Sequence, residues 1–371
     1  MKKDAAKNSG KRNEIAKYRE SIDEMDSQIV SLLVKRTRKA AGTGRIKKKT
    51  GFPLVDPARE DEVLDRVTAL AGDSLDTRLL RSIYSRIIEA ARSVQQPPKV
   101  GFLGPVGTFT HQAATVFFTG SFSFVPCGHL RDVFSSVERK KFSFGIVPVE
   151  NSWEGSVDQT LDLLERYEVN IVGEQLLPIR HQLLGKGEDL SMVTRIHSHP
   201  MALAQCARRL SELAPHAEHK EETSTAAAAE KAAMIPGAAA VASSFCAEIY
   251  GLRILAADVA DDPGNTTRFL VLGIGMQKPT GADKTSIIFS LPHKPGALHS
   301  ALTPPSERGI NLTRIDSRPV KGRSWEYLFF ADLEGHTEDE TMKSTLEEMQ
   351  ACCTYLRVLG SYPACHHICS R

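Results

Sequence analysis

Residues 265–273 read NTTRFLVLG, with amide, hydroxyl and guanidinium groups set directly ahead of an apolar run. Such a run forms a buried strand, so its polar mouth is either a turn that closes a loop or a place where a substrate is held. The segments around it narrow the choice. From 99 to about 276, short apolar runs (KVGFLG, FGIVPVE, RIHSH, AAAVAS, RFLVLG) alternate with helix-like stretches (LRDVFSSVERK, VDQTLDLLERY, MALAQCARRLSEL). Alternation of this kind predicts an α/β sheet with helices on its faces, whose ligands collect in crevices at the strand ends. The 265–273 stretch stands at such an end.

Working outward, 14–96 carries a helical period: Ile15, Ile22, Met25, Ile29, Leu32 and Leu33, then Val63, Leu64, Val67 and Leu70, then Leu79, Leu80, Ile83, Ile87 and Ile88. Three helices follow, the second opening at Asp56-Pro57 with an aspartate cap and proline in the first turn, the third ending at QQPP. On the C-terminal side, QKPTGADK at 277–284 is a linker by composition. Beyond it, 284–363 reads strand, helix, strand, strand, helix, strand, a ferredoxin-like order. Pro304 and Pro305 are expected to end the first of those helices early. The chain is thus expected to be multidomain, with divisions 14–96, 99–276 and 284–363.

With 371 residues and 41% hydrophobic content, these divisions can each bury apolar surface. Lysine and arginine total 47 against 45 acids, a balance that offers no general field for nucleic acid or a membrane surface. No run approaches a membrane span, and the basic start has no apolar core of a secretory signal. The seven scattered cysteines do not suggest a disulfide framework, so a cytoplasmic home is expected. The CHHIC tail has no second ligand pair nearby, and no metal is expected.

Arg36 continues the seam of Ile22, Met25, Ile29 and Leu32 at heptad spacing and is expected to point inward, where a guanidinium needs an anion. Arg19, Arg36 and Lys47 are expected to share one stripe, with Arg59 joining them around a small dicarboxylate. The alternative is ordinary solvated helix charges or internal ion pairs. RIKKK at 45–49 lacks the aromatic interleaving of a nucleic-acid patch. In GFLGPVGTFTH, glycines fall at Gly101, Gly104 and Gly107 rather than at G-x-G-x-x-G, which speaks against a dinucleotide and for a small anion approached by backbone amides, Thr108 and Thr110.

YRESIDEMDSQIVSLLVKRTRKAAGTGRIKK, PLVDPAREDEVL and IIEAARSVQQ resemble the all-helical chorismate mutase domain. The resemblance implies an interlocked dimer in which Arg19, Arg36 and Arg59 clamp carboxylates of chorismate, Lys47 and Gln95 face its ether oxygen, and Asp56 and Glu60 hold hydroxyls. Ala91 stands where relatives often carry serine. GPVGTFTH, VPVENSWEGSV, SHPMALAQC, TSTAAAAEKA and NTTRFLVLG resemble prephenate dehydratase, which implies two α/β subdomains similar to periplasmic binding proteins with the substrate between them. Because prephenate is what a chorismate mutase makes, the two resemblances describe consecutive reactions.

Loss of carbon dioxide and hydroxide from prephenate needs a donor at the leaving hydroxyl. The resemblance gives that role to Thr267, a carboxylate contact to Arg268, a strand anchor to Phe269, other polar contacts to Asn151, Ser198, Gln205 and Thr225, and an orienting role to Glu150. Ser198 and Thr225 also read as helix caps; His111 and His199 read more readily as structural than as bases. Met201 stands where relatives have glutamine. LPHKPGALHSAL and NLTRIDSRPVKGRSWEYLFF resemble the ACT regulatory domain, which implies L-phenylalanine as an allosteric inhibitor bound between two such domains by Gly296, Ala297, Leu298, Asn311 and the motif Asp316, Ser317, Arg318, Pro319. No cofactor is implied. An arogenate dehydratase, an amino-acid sensor with a dead cleft, and a plain dimerisation module remain alternative readings of the same motifs.

Overall fold

The structure, a computed structural model, describes residues 2–50, 57–72, 75–95, 97–120, 122–187, 189–319 and 327–365, the side chains of 2–14, 44, 45, 47–50, 57, 58 and 92–95 excepted. It divides into a unit over 1–98 and a unit over 99–371.

The first unit is three helices, α1 (Lys2–Thr50), α2 (Pro57–Ala71) and α3 (Thr77–Gln95). α3 packs on both α1 and α2. Among the described residues Ala91 is the unit's one buried apolar side chain, while Ile15, Tyr18, Ile22, Met25, Ile29 and Leu32 of α1 are each more than half exposed. The heptad seam is therefore present, and among the described residues of this unit it is left exposed.

The second unit holds three sheets. The first lobe contains β1 (Lys99–Leu103), α4 (Phe109–Phe117), β2 (Ser123–Cys127), α5 (Leu130–Glu138), β3 (Phe144–Asn151), β4 (Gly155–Ser156), α6 (Asp158–Arg166) and β5 (Asn170–Pro178). The second contains β6 (Gln182–Gly185), β7 (Arg195–Ser198), α7 (Pro200–Gln205), α8 (Ala207–Leu213), β8 (Glu218–Glu221), α9 (Thr225–Met234), β9 (Ala238–Ala242), α10 (Ser244–Tyr250) and β10 (Arg253–Ala256) in the order β10-β6-β9-β7-β8. The chain then returns: β11 (Thr266–Gly273) inserts antiparallel between β3 and β5, giving β2-β1-β3-β11-β5. Two lobes joined by two crossings match the expected α/β class.

β11 is sandwiched by two cores, as alternating side chains require. Phe269 and Val271 join Phe102, Ala113, Ala114 and Ile146 on one face. Leu270 and Leu272 join Phe134, Leu161 and Leu164 on the other, together with Ile288, Phe330, Leu359 and Tyr362 of the third sheet. That third sheet consists of β12 (Asp283–Ser290), α11 (Ala297–Glu307), β13 (Leu312–Pro319), β14 (Tyr327–Glu334), α12 (Glu340–Cys352) and β15 (Tyr355–Pro363), ordered β13-β14-β12-β15. It is the expected ferredoxin-like sequence of elements. β15 runs so close to β5 that a Cβ on Gly360 would collide with the Ile171 carbonyl.

One expectation is overturned here. α11 continues through Pro304 and Pro305 to Glu307. Both prolines are buried, and Ile310 N–H closes the helix end on the Pro305 carbonyl at 2.9 Å. Packing of the rings outweighs the two amide hydrogen bonds that proline cannot make. No helix among the described residues is long and apolar enough to cross a membrane.

Candidate functional site

A cleft of about 280 Å³ opens between the two lobes. From the first lobe it is lined by Thr108, Phe109, Thr110, Asn151, Glu154, Asn265, Thr267 and Phe269, and from the second by His181, His199, Met201, Gln205, Ser224 and Thr225, among others. Of the residues singled out from sequence, the fold brings Thr108, Asn151, Gln205, Thr225, Thr267 and Phe269 to this one cavity. The 265–273 stretch is a strand mouth opening on this cleft.

Its geometry is set by strand pairing. Thr267 of β11 lies directly opposite Asn151 of β3. Asn151 Nδ2 donates to Thr267 Oγ1 at 2.8 Å and to Asn265 Oδ1 at 2.7 Å. Asn151 Oδ1 accepts from the N–H groups of Trp153 and Glu154 at 3.0 and 3.2 Å, which fixes the amide orientation. Thr267 Oγ1 is thus an acceptor towards Asn151, and its own O–H is left to donate into the cleft. Thr267 is only 9% exposed, so that donor acts with little competition from water.

Two helix starts face the same space. Thr108 caps α4, accepting from His111 N–H at 3.3 Å, and Ser224 caps α9, accepting from Ala227 N–H at 3.0 Å. Their positive ends favour anions. Among the described residues that line the cleft, none is lysine or arginine.

His181 is buried, and its Nε2 meets Gln205 Oε1 at 3.1 Å. Burial lowers its pKa, only partly offset by the Gln205 hydrogen bond, which favours the neutral ring. A neutral Nε2–H donating to Oε1 turns the amide nitrogen of Gln205 away from the ring. His181 and Asn265 were not singled out from sequence. Asn265 was visible as the first residue of the quoted stretch; His181, in IRHQLL, carried no signal beyond a polar residue before an apolar run.

Several expectations are corrected. Arg268 does not reach the cleft: one residue along a strand from Thr267, it points to the opposite face, where Glu174, Asp332 and Tyr362 occupy it at 2.7, 2.6 and 3.1 Å. All three of its nitrogens are engaged on that side, and it does not line the cleft. Glu150 also turns to that face and pairs with Arg314 at 3.3 Å. Ser198 is fully buried, its hydroxyl donating to the Val241 carbonyl at 2.7 Å. The caps are His199 and Ser224 rather than Ser198 and Thr225. His111 accepts from Gly107 N–H at 3.2 Å and stacks on Phe102.

In the helical unit, Arg36 is half-buried and donates to the Ile87 carbonyl of α3 at 3.4 Å. Arg59 pairs with Glu62 at 2.7 Å and is exposed, while Glu60 is half-buried. The shared stripe does not hold for Arg19. In the unbroken α1, seventeen residues carry it about 25 Å from Arg36 and roughly 100° round the helix. The side chains of Lys47 and Gln95, and all of Asp56, lie outside the described residues, as does 366–371 of the tail.

In the third sheet, Gly296 takes φ +75° at the start of α11, with Ala297 buried and Leu298 exposed. Asn311 follows the other end of the same eleven-residue helix, about 16 Å away along its axis. Asp316 contacts the Ser156 hydroxyl and Arg314, and Arg318 pairs with Asp158 and Asp162 of α6. Ser317 and Pro319 are exposed. The motif thus touches the first lobe.

Three family models match the chain: chorismate mutase type II over residues 18–96, prephenate dehydratase over 100–277 and the ACT domain over 285–349. The bifunctional chorismate mutase/prephenate dehydratase of Aquifex aeolicus (strain VF5) is 44% identical over 354 residues, spanning 94% of this chain and 98% of its own. Among solved structures, a prephenate dehydratase from Arthrobacter aurescens in complex with L-Phe is 35% identical with a TM-score of 0.65, covering 72% of this chain and 90% of that one. A quorum-quenching acylase is 31% identical with a TM-score of 0.67, covering 72% and 98%.

Proposed function

The chain belongs to the bifunctional chorismate mutase/prephenate dehydratase family, and from that premise we propose how its residues divide the work. The protein rearranges chorismate to prephenate, then dehydrates and decarboxylates prephenate to phenylpyruvate, with feedback inhibition by L-phenylalanine. Its functional divisions are 14–96, 99–276 and 284–363.

The dehydratase reading is carried by one observation, the Asn151–Thr267 hydrogen bond. Breaking the ring C–O bond places negative charge on the departing oxygen, and the Thr267 O–H, held by Asn151, donates to it as the carboxylate carbon leaves as carbon dioxide and the ring becomes aromatic. The cleft holds a dianion without a lysine or arginine in its described lining, so the starts of α4 and α9, with Thr108 and Thr225, take the carboxylates. Gln205, oriented by His181, supplies a further donor, and Phe269 anchors the strand from below. An acylase chemistry is less well supported: it needs a base bonded to a nucleophile, and the partner of Thr267 here is an amide.

For the mutase, a concerted rearrangement asks only for a folded substrate and donors at the developing charge. Arg36, half-buried where α1 meets α3, takes this role in our reading, and Arg59, Lys47, Glu60, Asp56 and Gln95 complete the set. Arg19 is too far along α1 to join them within one copy, and the seam from Ile15 to Leu32 is exposed among the described residues. Both facts support a homodimer in which one copy's Arg19 enters its partner's site. The separation of Gly296 and Asn311 along α11 likewise supports L-phenylalanine binding between two copies. The free thiols of Cys127, Cys206, Cys246, Cys352 and Cys353 fit a reducing cytoplasm.

The test is full-length protein given chorismate, with loss of chorismate and formation of phenylpyruvate followed separately, the latter by its absorbance in base. Arg36→Ala should abolish most turnover of chorismate and spare that of added prephenate, and Thr267→Ala the reverse. Equal damage to both reactions by both variants contradicts the division.

A further inference from the structure

Beside the Asn151–Thr267 pair, the next cross-strand pair of β3 and β11 is Glu150–Arg268. Both of its members face the third sheet, and both are gripped by it. Arg268 is held by Asp332 of β14 and Tyr362 of β15 as well as by Glu174 of β5. Ser286 of β12 bonds both Asp332 and Tyr362, and Lys284 takes the second oxygen of Glu174 at 2.8 Å. Glu150 is held by Arg314 of β13, which also contacts Ser156 and Asp316. The register of β11 against β3 shifts between Arg268 and Phe269, and at such an irregularity side-chain direction depends on what anchors the strand.

The cluster is nearly dry: the side chains of Arg268, Glu174 and Asp332 are 11%, 1% and 6% exposed. Charges so placed cannot change partners singly without leaving one uncompensated. A shift of the third sheet must therefore move the strand that carries Thr267, or break the cluster; the Asn151 strand is tied more loosely, through the 3.3 Å pair of Arg314 with Glu150, whose side chain is 41% exposed.

We propose that Arg268, with Glu150 across from it, is a positioning residue for the dehydratase: it ties the strands bearing Thr267 and Asn151 to the third sheet and so carries the regulatory state of that sheet into the cleft. The inference rests on the reading of the cleft as a prephenate dehydratase under phenylalanine control. It replaces a carboxylate-binding role for Arg268 with an action through its neighbour.

The experiment uses the full chain. Arg268→Gln, Glu150→Gln and the milder Tyr362→Phe are compared with the parent for prephenate kcat and KM, L-phenylalanine binding by calorimetry, inhibition by L-phenylalanine, and mutase rate. Arg268→Gln is expected to lower kcat by about tenfold or more with KM within about twofold, as loss of a purely transition-state effect requires. L-Phenylalanine should still bind, while the concentration that inhibits rises at least about tenfold, within the usual range of coupling between sites. Glu150→Gln and Tyr362→Phe should shift inhibition the same way by less, and they decide the matter if Arg268→Gln does not fold. A raised KM at constant kcat, or inhibition that still tracks binding in these variants, overturns the inference. Parent protein that forms phenylpyruvate but ignores L-phenylalanine would instead overturn the feedback reading beneath it.

Discussion

Replacing Thr267 by valine keeps the shape of the side chain and removes its hydroxyl. Two losses follow from the geometry. The donor to the departing oxygen disappears, and removal of one such donor in a sheltered site costs about 10²–10³ in kcat, or about 2.7–4 kcal/mol. The Asn151 amide keeps its bond to Asn265 at 2.7 Å but loses the one at 2.8 Å, leaving one N–H unsatisfied at a stability cost of about 1–3 kcal/mol. The assay is phenylpyruvate formation from prephenate, with KM determined separately and thermal unfolding followed alongside. We expect kcat to fall by two to three orders of magnitude, as in the oxyanion-donor cases above, with KM little changed, and Thr267→Ser to recover most of the rate. Valine with kcat within about threefold of the parent would refute the assignment, since so small a loss is under 1 kcal/mol.

Other outcomes are equally specific. Arg36→Ala should cost chorismate turnover over about a hundredfold, roughly 3 kcal/mol, with prephenate turnover intact; comparable loss in both would count against it. An aspartate in place of Ile22 or Met25 should keep the protein monomeric in sedimentation and take mutase activity with it, because it sets a charge in the seam that the proposed homodimer covers. Burial holds His181 below its ordinary 6.5 despite Gln205, so the unfolded chain takes up a proton that the folded one refuses. The resulting stability is full above about pH 6.5 and is lost on acidification, by at most about 1.4 kcal/mol per pH unit. Melting temperature should therefore drop between pH 7.5 and 5.5, and His181→Gln should flatten that slope; an unaltered slope contradicts it.

Much of the cleft was legible because its residues stand at strand mouths and helix starts, where short motifs carry the geometry. Thr267 and Asn151 could be named from their motifs, but their bond arises from a pairing 116 residues apart that no local pattern encodes. Arg268 was misread although the signal lay in the sequence: adjacent residues of a strand face opposite ways, so Thr267 in the cleft excludes Arg268. What was invisible was the third sheet waiting on that other face. Pro304 and Pro305 were judged by local propensity, and tertiary packing overrode it. Arg19 was placed on a stripe that its seventeen-residue step from Arg36 does not allow.

The shared core on the underside of β11 bears on how this polypeptide can be shortened. Severing it within 277–284 would bare Leu270, Leu272 and Phe134 to solvent and strip Glu174 of Lys284 and Arg268 of Asp332. A dehydratase trimmed in that way should aggregate rather than emerge as an unregulated catalyst, so desensitised versions are better sought by editing single contacts than by amputation.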